Sequence, residues 1–357
     1  MTPRIRVVVV DDSALMRKLI PRLLESDPSI EVVGTAMDGA IALRKIEELR
    51  PDVLTLDLEM PLMDGIATLR AIMRARRLPV IVFSAHSHRG ANLTFKALGL
   101  GAFDFVTKPA EGTREALSEA ARELAVKIKA AAGTQLPNLP PSELPDVPPA
   151  KAEEDDAPRH APARVIAVGV STGGPAALQR VIPQLPAGFP GCILIVQHMP
   201  EGFTDMFARR LDECSAIRVR EARSGDYLMA GHAFVCPGNR HMTVRRMVVG
   251  DLVVLRDSER VNGHRPSADV LLTSVAQEFG AAAAGVIMTG MGDDGVEGLG
   301  RMREAGGITL AQSRESCVVD SMPRMAIERR YAQRVVPLEA MGKVWEEICA
   351  AERVPAD

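Results

Sequence analysis

The sequence predicts two α/β domains, each a mostly parallel sheet covered on both faces by helices, joined by an extended linker. Three observations lead there. The chain has 357 residues, more than one ordinary domain holds and enough for two with sizeable cores. Short continuous apolar runs alternate with amphipathic stretches along both halves, which is how strands buried on both faces read. Between 132 and 163 the composition breaks, with eight prolines, six acids, two bases and no aromatic residue. Such a stretch buries too little apolar area to offset its ordering entropy. A semi-extended spacer is therefore expected over 132–163, between domains at 1–131 and 164–357.

Composition narrows the function classes. A hydrophobic fraction of 46% and a net charge of −3 describe a globular chain, with no electrostatic excess to hold nucleic acid or a membrane surface. The N-terminal apolar run is four residues long before two aspartates, too short for a signal peptide or an inserted span. Cys192, Cys214, Cys236, Cys317 and Cys349 have no paired spacing, as expected of reduced thiols in a cytoplasmic protein.

In the first half the strands read as IRVVVV (5–10), EVVGTA (31–36), DVLTLD (52–57), PVIVFS (79–84) and FDFVTK (103–108). Segments such as 13–26 and 40–49 carry apolar residues at helical spacing. Five βα units give a flavodoxin-like domain, whose ligands sit beyond the carboxyl ends of the strands. Asp11 and Asp12 close the first run, Asp57 the third, Ser84 the fourth and Lys108 the fifth. Three carboxylates at one mouth repel each other unless a cation is present. Asp11, Asp12 and Asp57 are thus the expected ligands of Mg²⁺, which suits oxygen donors. Ser84 and Lys108 can hold the oxygens of an added phosphoryl group, and Asp57 is then the nucleophile that becomes an aspartyl phosphate.

Across about 1–125 the chain resembles the two-component response-regulator receiver family. The resemblance is carried by Asp11 and Asp12, Asp57, the loop with Met60, Pro61, Asp64 and Gly65, Ser84 with Ala85, and Lys108 with Pro109. It implies that Phe105 stands where that family often has an aromatic switch residue. Simple core packing is an equal reading of Phe105.

In the second half the runs are VIAVGV (165–170), CILIVQ (192–197), AFVCP (233–237), MVVGDLVVL (247–255), AAGVIMT (283–289) and ITLAQ (308–312). The stretch around Gly250 and Asp251 reads as a local hairpin and the rest as a doubly wound, mostly parallel sheet. Ser171 follows the first run inside GVSTG (169–173), His198 follows the second, and Asp294 follows the fifth inside GMGDDG (290–295). A serine hydroxyl needs a base, and the base needs a carboxylate to fix its tautomer. A helix beginning near Pro175 would aim free N–H groups at a developing oxyanion. His264 rivals His198 as the base, and Asp293 rivals Asp294 as the carboxylate. The order Ser, His, Asp departs from the Ser, Asp, His order of α/β-hydrolases.

A dinucleotide site is another reading, because GMGDDG is also G-x-G-x-x-G after a strand, with Glu315 near the expected acidic position. Two adjacent carboxylates oppose it, since like charges about 4 Å apart cost around 1 kcal/mol even in water. A binding module with a structural Ser171 is the reading from a different class.

Over 164–350 the chain resembles the chemotaxis protein-glutamate methylesterase (CheB) family, on GVSTGGP (169–175), QHMP (197–200), GHRPSADVL (263–271) and TGMGDDG (289–295). The resemblance implies Ser171 as nucleophile, His198 as general acid/base, Asp294 as its orienter, and oxyanion donors near Thr172 and Met291. It also implies a substrate and partners: methylated cytoplasmic helices of chemoreceptors, releasing methanol, with deamidation of receptor glutamines in many members. A histidine kinase would phosphorylate the receiver, which covers the active site until then. Ester hydrolysis by such a set needs no cofactor of its own. The linker reads as a plain spacer in preference to a receptor-docking segment.

Overall fold

Runs of β-branched residues become the central strands of two parallel sheets, and the helices between them cover both faces. The structure is a computed structural model and describes residues 3–76, 78–85, 87–109, 113–132 and 161–350. Residues 133–160 of the expected spacer lie outside the described residues. The chain divides into two units, Met1–Ser142 and Glu143–Asp357.

The first unit runs β1 (Ile5–Val10), α1 (Met16–Leu24), β2 (Ile30–Ala36), α2 (Gly39–Leu49), β3 (Val53–Leu56), α3 (Gly65–Arg76), β4 (Val80–Ala85), α4 (His88–Gly99), β5 (Asp104–Lys108) and α5 (Arg114–Ala132). Its five strands lie in the order β2-β1-β3-β4-β5, all parallel. Local chemistry sets the helix starts. The Asp38 side chain accepts from the Ile41 N–H to cap α2, and Ser87 accepts from Gly90 to cap α4. Val10 pairs in register with Leu56, so Asp11 and Asp57, each one residue further, emerge side by side.

The second unit begins with β6 (Val165–Val170), α6 (Gly174–Val181), β7 (Cys192–Gln197), α7 (Phe203–Glu213), β8 (Arg218–Glu221) and β9 (His232–Val235). A hairpin, β10 (His241–Arg245) with β11 (Leu252–Arg256), precedes α8 (Ala268–Phe279) and β12 (Ala283–Ile287). The unit closes with α9 (Val296–Glu304), β13 (Ile308–Gln312), α10 (Ser321–Glu328), β14 (Arg334–Val336) and α11 (Leu338–Ala350). Seven strands in the order β14-β13-β12-β6-β7-β9-β8 make one sheet, every pair parallel.

Leu271, Leu272 and Val275 of α8 join Leu299 and Met302 of α9, Val165 and Leu194 of the sheet, and Met242 and Val253 of the hairpin in one buried cluster. Each such side chain contributes about 1.5–3 kcal/mol by leaving water. The hairpin is where the sequence reading expects it, but its first arm lies upstream of the apolar run. Met247, Val248 and Val249 form its exposed turn, because Val244 and Met242 already fill the buried face.

Candidate active site

The register of the larger sheet brings two of the expected residues together. Val170 pairs with Gln197, so Ser171 and His198 each stand one residue past the end of neighbouring strands, about 4.8 Å apart in the pairing direction. Gln197 ties them, its amide donating to the backbone carbonyls of Ser171 and His198 at 3.1 Å each. After Ser171 the chain must turn at once into α6, and Gly173 does so at φ +77°. On the other side, Gly290 passes so close that a Cβ there would lie 2.9 Å from the Ser171 Cβ.

The glycine-rich loop after β12 carries the third residue. Asp294 is 1% exposed and its Oδ2 lies 2.8 Å from His198 Nε2. Asp293 is exposed, so the geometry selects Asp294 as the carboxylate on the imidazole. Since a carboxylate only accepts, Nε2 carries the proton, assigned from its partner. His198 Nδ1 is buried with no hydrogen-bond partner among the described residues. His264, the rival base, does not reach Asp294. Its ring stacks on that of His198 with centroids 3.8 Å apart and planes 4° apart.

Sequence reasoning missed what surrounds Asp294. Ser267 Oγ donates to Oδ1 at 2.6 Å, the Ala268 N–H to Oδ2 at 2.6 Å, and Asn262 Nδ2 to Oδ1 at 3.1 Å. Ser267 stands at the N-cap of α8 but makes no capping bond there, because its hydroxyl is committed to Asp294. The carboxylate thus lies against the N-terminal N–H groups and positive end of a helix. Burial works against its charge, but the His198 contact and these donors outweigh it and hold Asp294 down at about 2. Ser267 and Ala268 lie inside the GHRPSADVL segment that carries the resemblance, but on its own the serine ahead of an apolar helix reads as an ordinary cap.

Among the described residues, no acceptor takes the backbone N–H of Thr172 or of Met291. Both remain available beside Ser171, at the start of α6 and in the Gly290 loop. The nucleotide reading of that loop gains no support, since its second aspartate is a buried, ionised carboxylate already bonded to His198, which would repel a pyrophosphate.

The smaller sheet carries the second cluster at its carboxyl edge. Lys108 Nζ lies 2.5 Å from Asp57 Oδ2 and 2.8 Å from Asp11 Oδ2. Burial raises the Asp11 carboxyl above its ordinary value despite the Lys108 contact. The same burial would lower Lys108, yet the two carboxylates hold it above its ordinary value. Asp11, Asp12 and Asp57 each offer an oxygen, all within 4.8 Å of one another, a donor set that fits a hard divalent cation. Ser84 is buried and its hydroxyl donates to the Gly90 carbonyl at 3.2 Å. Phe105 is buried, edge-on to Phe95.

Known proteins match both halves. Residues 166–344 match the CheB methylesterase family and residues 7–122 the response regulator receiver domain. The protein-glutamate methylesterase/protein-glutamine glutaminase 2 of Koribacter versatilis is 56% identical over 357 residues, spanning 99% of this chain and 98% of that one. The chain belongs to the CheB methylesterase family. A second CheB relative, the protein-glutamate methylesterase/protein-glutamine glutaminase of Symbiobacterium thermophilum, is 45% identical over 95% of each chain. The crystal structure of the Thermotoga maritima CheB methylesterase catalytic domain superposes with a TM-score of 0.51 at 37% identity, covering 52% of this chain and 98% of that one. All five cysteines are free and buried. No helix among the described residues is long and apolar enough to cross a membrane.

Proposed function

We propose that the chain hydrolyses glutamate γ-methyl esters on the cytoplasmic helices of chemoreceptors, releasing methanol, and deamidates receptor glutamines by the same route. The observation that carries this reading is His198, held through Nε2 by an ionised Asp294 and with a buried Nδ1 left unbonded, at the end of the strand next to the one that leads into Ser171. Ser171 Oγ attacks the ester carbonyl carbon and its proton passes to His198 Nδ1. The carbonyl π electrons move to oxygen, and the Thr172 and Met291 N–H groups stabilise that oxyanion. As the C–O bond to methoxide breaks, His198 returns the proton and methanol leaves. Water then repeats the sequence on the acyl-serine and frees the glutamate. With a glutamine the leaving group is ammonia.

Asp57 accepts a phosphoryl group from a histidine kinase of the chemotaxis type. Asp11, Asp12 and Asp57 would hold Mg²⁺, which neutralises charge on the transferring phosphoryl group. Lys108 then exchanges a carboxylate oxygen for a phosphoryl oxygen, and Ser84 turns its hydroxyl to another. Phosphorylation activates by stabilising the active state of the protein over its resting state, and by no more than that difference. Buried, unpaired thiols suit work in the cytoplasm.

The test is methanol release from a methylated receptor cytoplasmic fragment, with and without a small phosphodonor and Mg²⁺. Ser171→Ala is expected to lower release by at least about 10³-fold, as loss of a serine nucleophile does elsewhere. Equal release by wild type and variant would sink the assignment.

A further inference from the structure

His264 sits in a part of the site that the triad reading leaves without a task. It is held there by more than chance packing. The segment 261–264 is a tight turn closed by two backbone bonds, Val261 N–H to His264 O at 3.0 Å and His264 N–H to Val261 O at 2.9 Å. Its central pair is Asn262 at φ +53° and Gly263 at φ +77°, the Asn-Gly combination that favours a rigid two-residue turn. The Asn262 side chain donates to Asp294 at 3.1 Å and to Asp269 at 2.6 Å. Three residues beyond His264, Ser267 donates to the same Asp294. The loop is therefore pinned on either side of His264 to the carboxylate that orients His198.

Between these anchors the His264 ring lies flat on the His198 ring, 3.8 Å between centroids and 4° from parallel. Burial first, and then the neighbouring His198, push the His264 imidazole down to about 4, against the opposing pull of Asp294 and Asp293 and together with Arg260. At neutral pH it is an uncharged aromatic plate. A plate on one face of an imidazole limits ring rotation, and its π electrons favour a cation on the other ring.

We propose that His264 is a positioning residue whose ring clamps the His198 imidazole from one face, keeping Nδ1 in line with Ser171 and supporting the imidazolium that forms in each transfer. The proposal rests on Ser171, His198 and Asp294 being the catalytic set, so its test includes a readout that needs no turnover.

The experiment uses the full-length chain labelled with ¹⁵N-histidine, the His198 resonances being identified by their loss in His198→Gln. Ring titration by NMR and the kcat and KM of methanol release are compared in His264→Ala, His264→Phe and His264→Arg. His264→Ala is expected to lower kcat by about 10- to 100-fold with KM within about two-fold, the cost of a slightly misaligned group. His264→Phe, which keeps the plate, should return kcat to within about three-fold of wild type. His264→Arg, a flat cation against the same face, should shift the His198 titration and the acid limb of the pH–rate profile to lower pH. An unchanged His198 titration in His264→Arg, or His264→Phe as impaired as His264→Ala while Trp345 fluorescence stays native, would overturn the clamp. A wild type that releases no methanol while His264→Arg still shifts the His198 titration would overturn the esterase reading and leave the ring coupling standing.

Discussion

At the carboxyl edge of the smaller sheet, Asp57 and Asp11 share one lysine. At the carboxyl edge of the larger sheet, Asp294 accepts from an imidazole, a hydroxyl, a side-chain amide and the first N–H groups of α8. Both sites arise from residues just past parallel strands whose registers match, yet their carboxylates are tuned in opposite directions. Asp11, buried beside another acid, rises above its ordinary value. Asp294, equally buried but surrounded by donors, falls to about 2. Burial alone therefore does not decide the charge at a sheet edge. The count of donors does, because a hydrogen bond to an ionised group contributes about 1.5–3 kcal/mol and several of them outweigh desolvation. The first site is left short of positive charge, ready for a cation and a phosphoryl group. The second is complete, and locks one histidine tautomer.

Breaking the second site at its centre should have the largest effect. Asp294→Asn, which keeps shape but presents a donor to Nε2, should lower kcat for methanol release by about 10³- to 10⁴-fold, the scale of a lost triad carboxylate. Asp293→Asn, on the exposed neighbour, should stay within about two-fold. Similar losses from the two variants would erase the distinction between a donor-rich and a solvated aspartate.

Breaking the first site should act only on control. Asp57→Asn is expected to abolish stimulation by phosphodonor and Mg²⁺ while leaving unstimulated release within about two-fold of wild type, because Asp57 supplies no group to the chemical steps. Stimulation that survives in Asp57→Asn would move the phosphoryl group to another residue.

A milder change sharpens the account of donors. Ser267→Ala removes one 2.6 Å bond to Asp294 and should lower kcat by roughly ten-fold, the equivalent of about 1.4 kcal/mol. Full activity in that variant would mean that the remaining donors suffice.

The smallest effect is on stability, and its sign separates the groups. The chain has one tryptophan, Trp345, buried in α11 of the larger unit, so its fluorescence reports urea unfolding of that unit. Asp294 falls from 3.8 to about 2 on folding, so its contribution is present above pH 3.8 and is lost as pH falls from 3.8 towards 2. His264 falls from 6.5 to about 4, so the unfolded chain binds its proton first and stability drops as pH falls from 6.5 towards 4. Each proton contributes a slope of at most about 1.4 kcal/mol per pH unit. His264→Phe should flatten the upper window and Asp294→Asn the lower one. Asp11 has the opposite sign, its raised carboxyl being relieved by acid. A wild-type midpoint that rose on acidification from pH 6.5 to 4 would contradict the His264 assignment.

The legible parts of the fold are its middle. The β6, β7 and β12 strands, buried throughout, show as unbroken apolar runs, and each announces the residue that follows it. The missed strands are edges. β8 is RVRE and β14 is RVV, at the two ends of the seven-stranded sheet, where charged residues shield unpaired backbone from other chains and hide the strand signal. The hairpin misled for the opposite reason, since its exposed turn is as apolar as a strand.

From the sequence alone, Ser171, His198 and Asp294 could be set at the ends of three strands, as could Asp11, Asp57 and Lys108 in the first half, because strand ends are local and parallel sheets gather them at one edge. The choice between His198 and His264, the choice between Asp293 and Asp294, the tautomer of His198 and the bonds from Ser267 and Asn262 belonged to the tertiary structure. Asn262 and Ser267 meet Asp294 across 32 and 27 residues of chain, and His264 meets His198 across a larger gap still. Periodicity reports only which face of its own element a residue takes. Which far-off donor reaches a carboxylate is decided when the elements carrying both have packed.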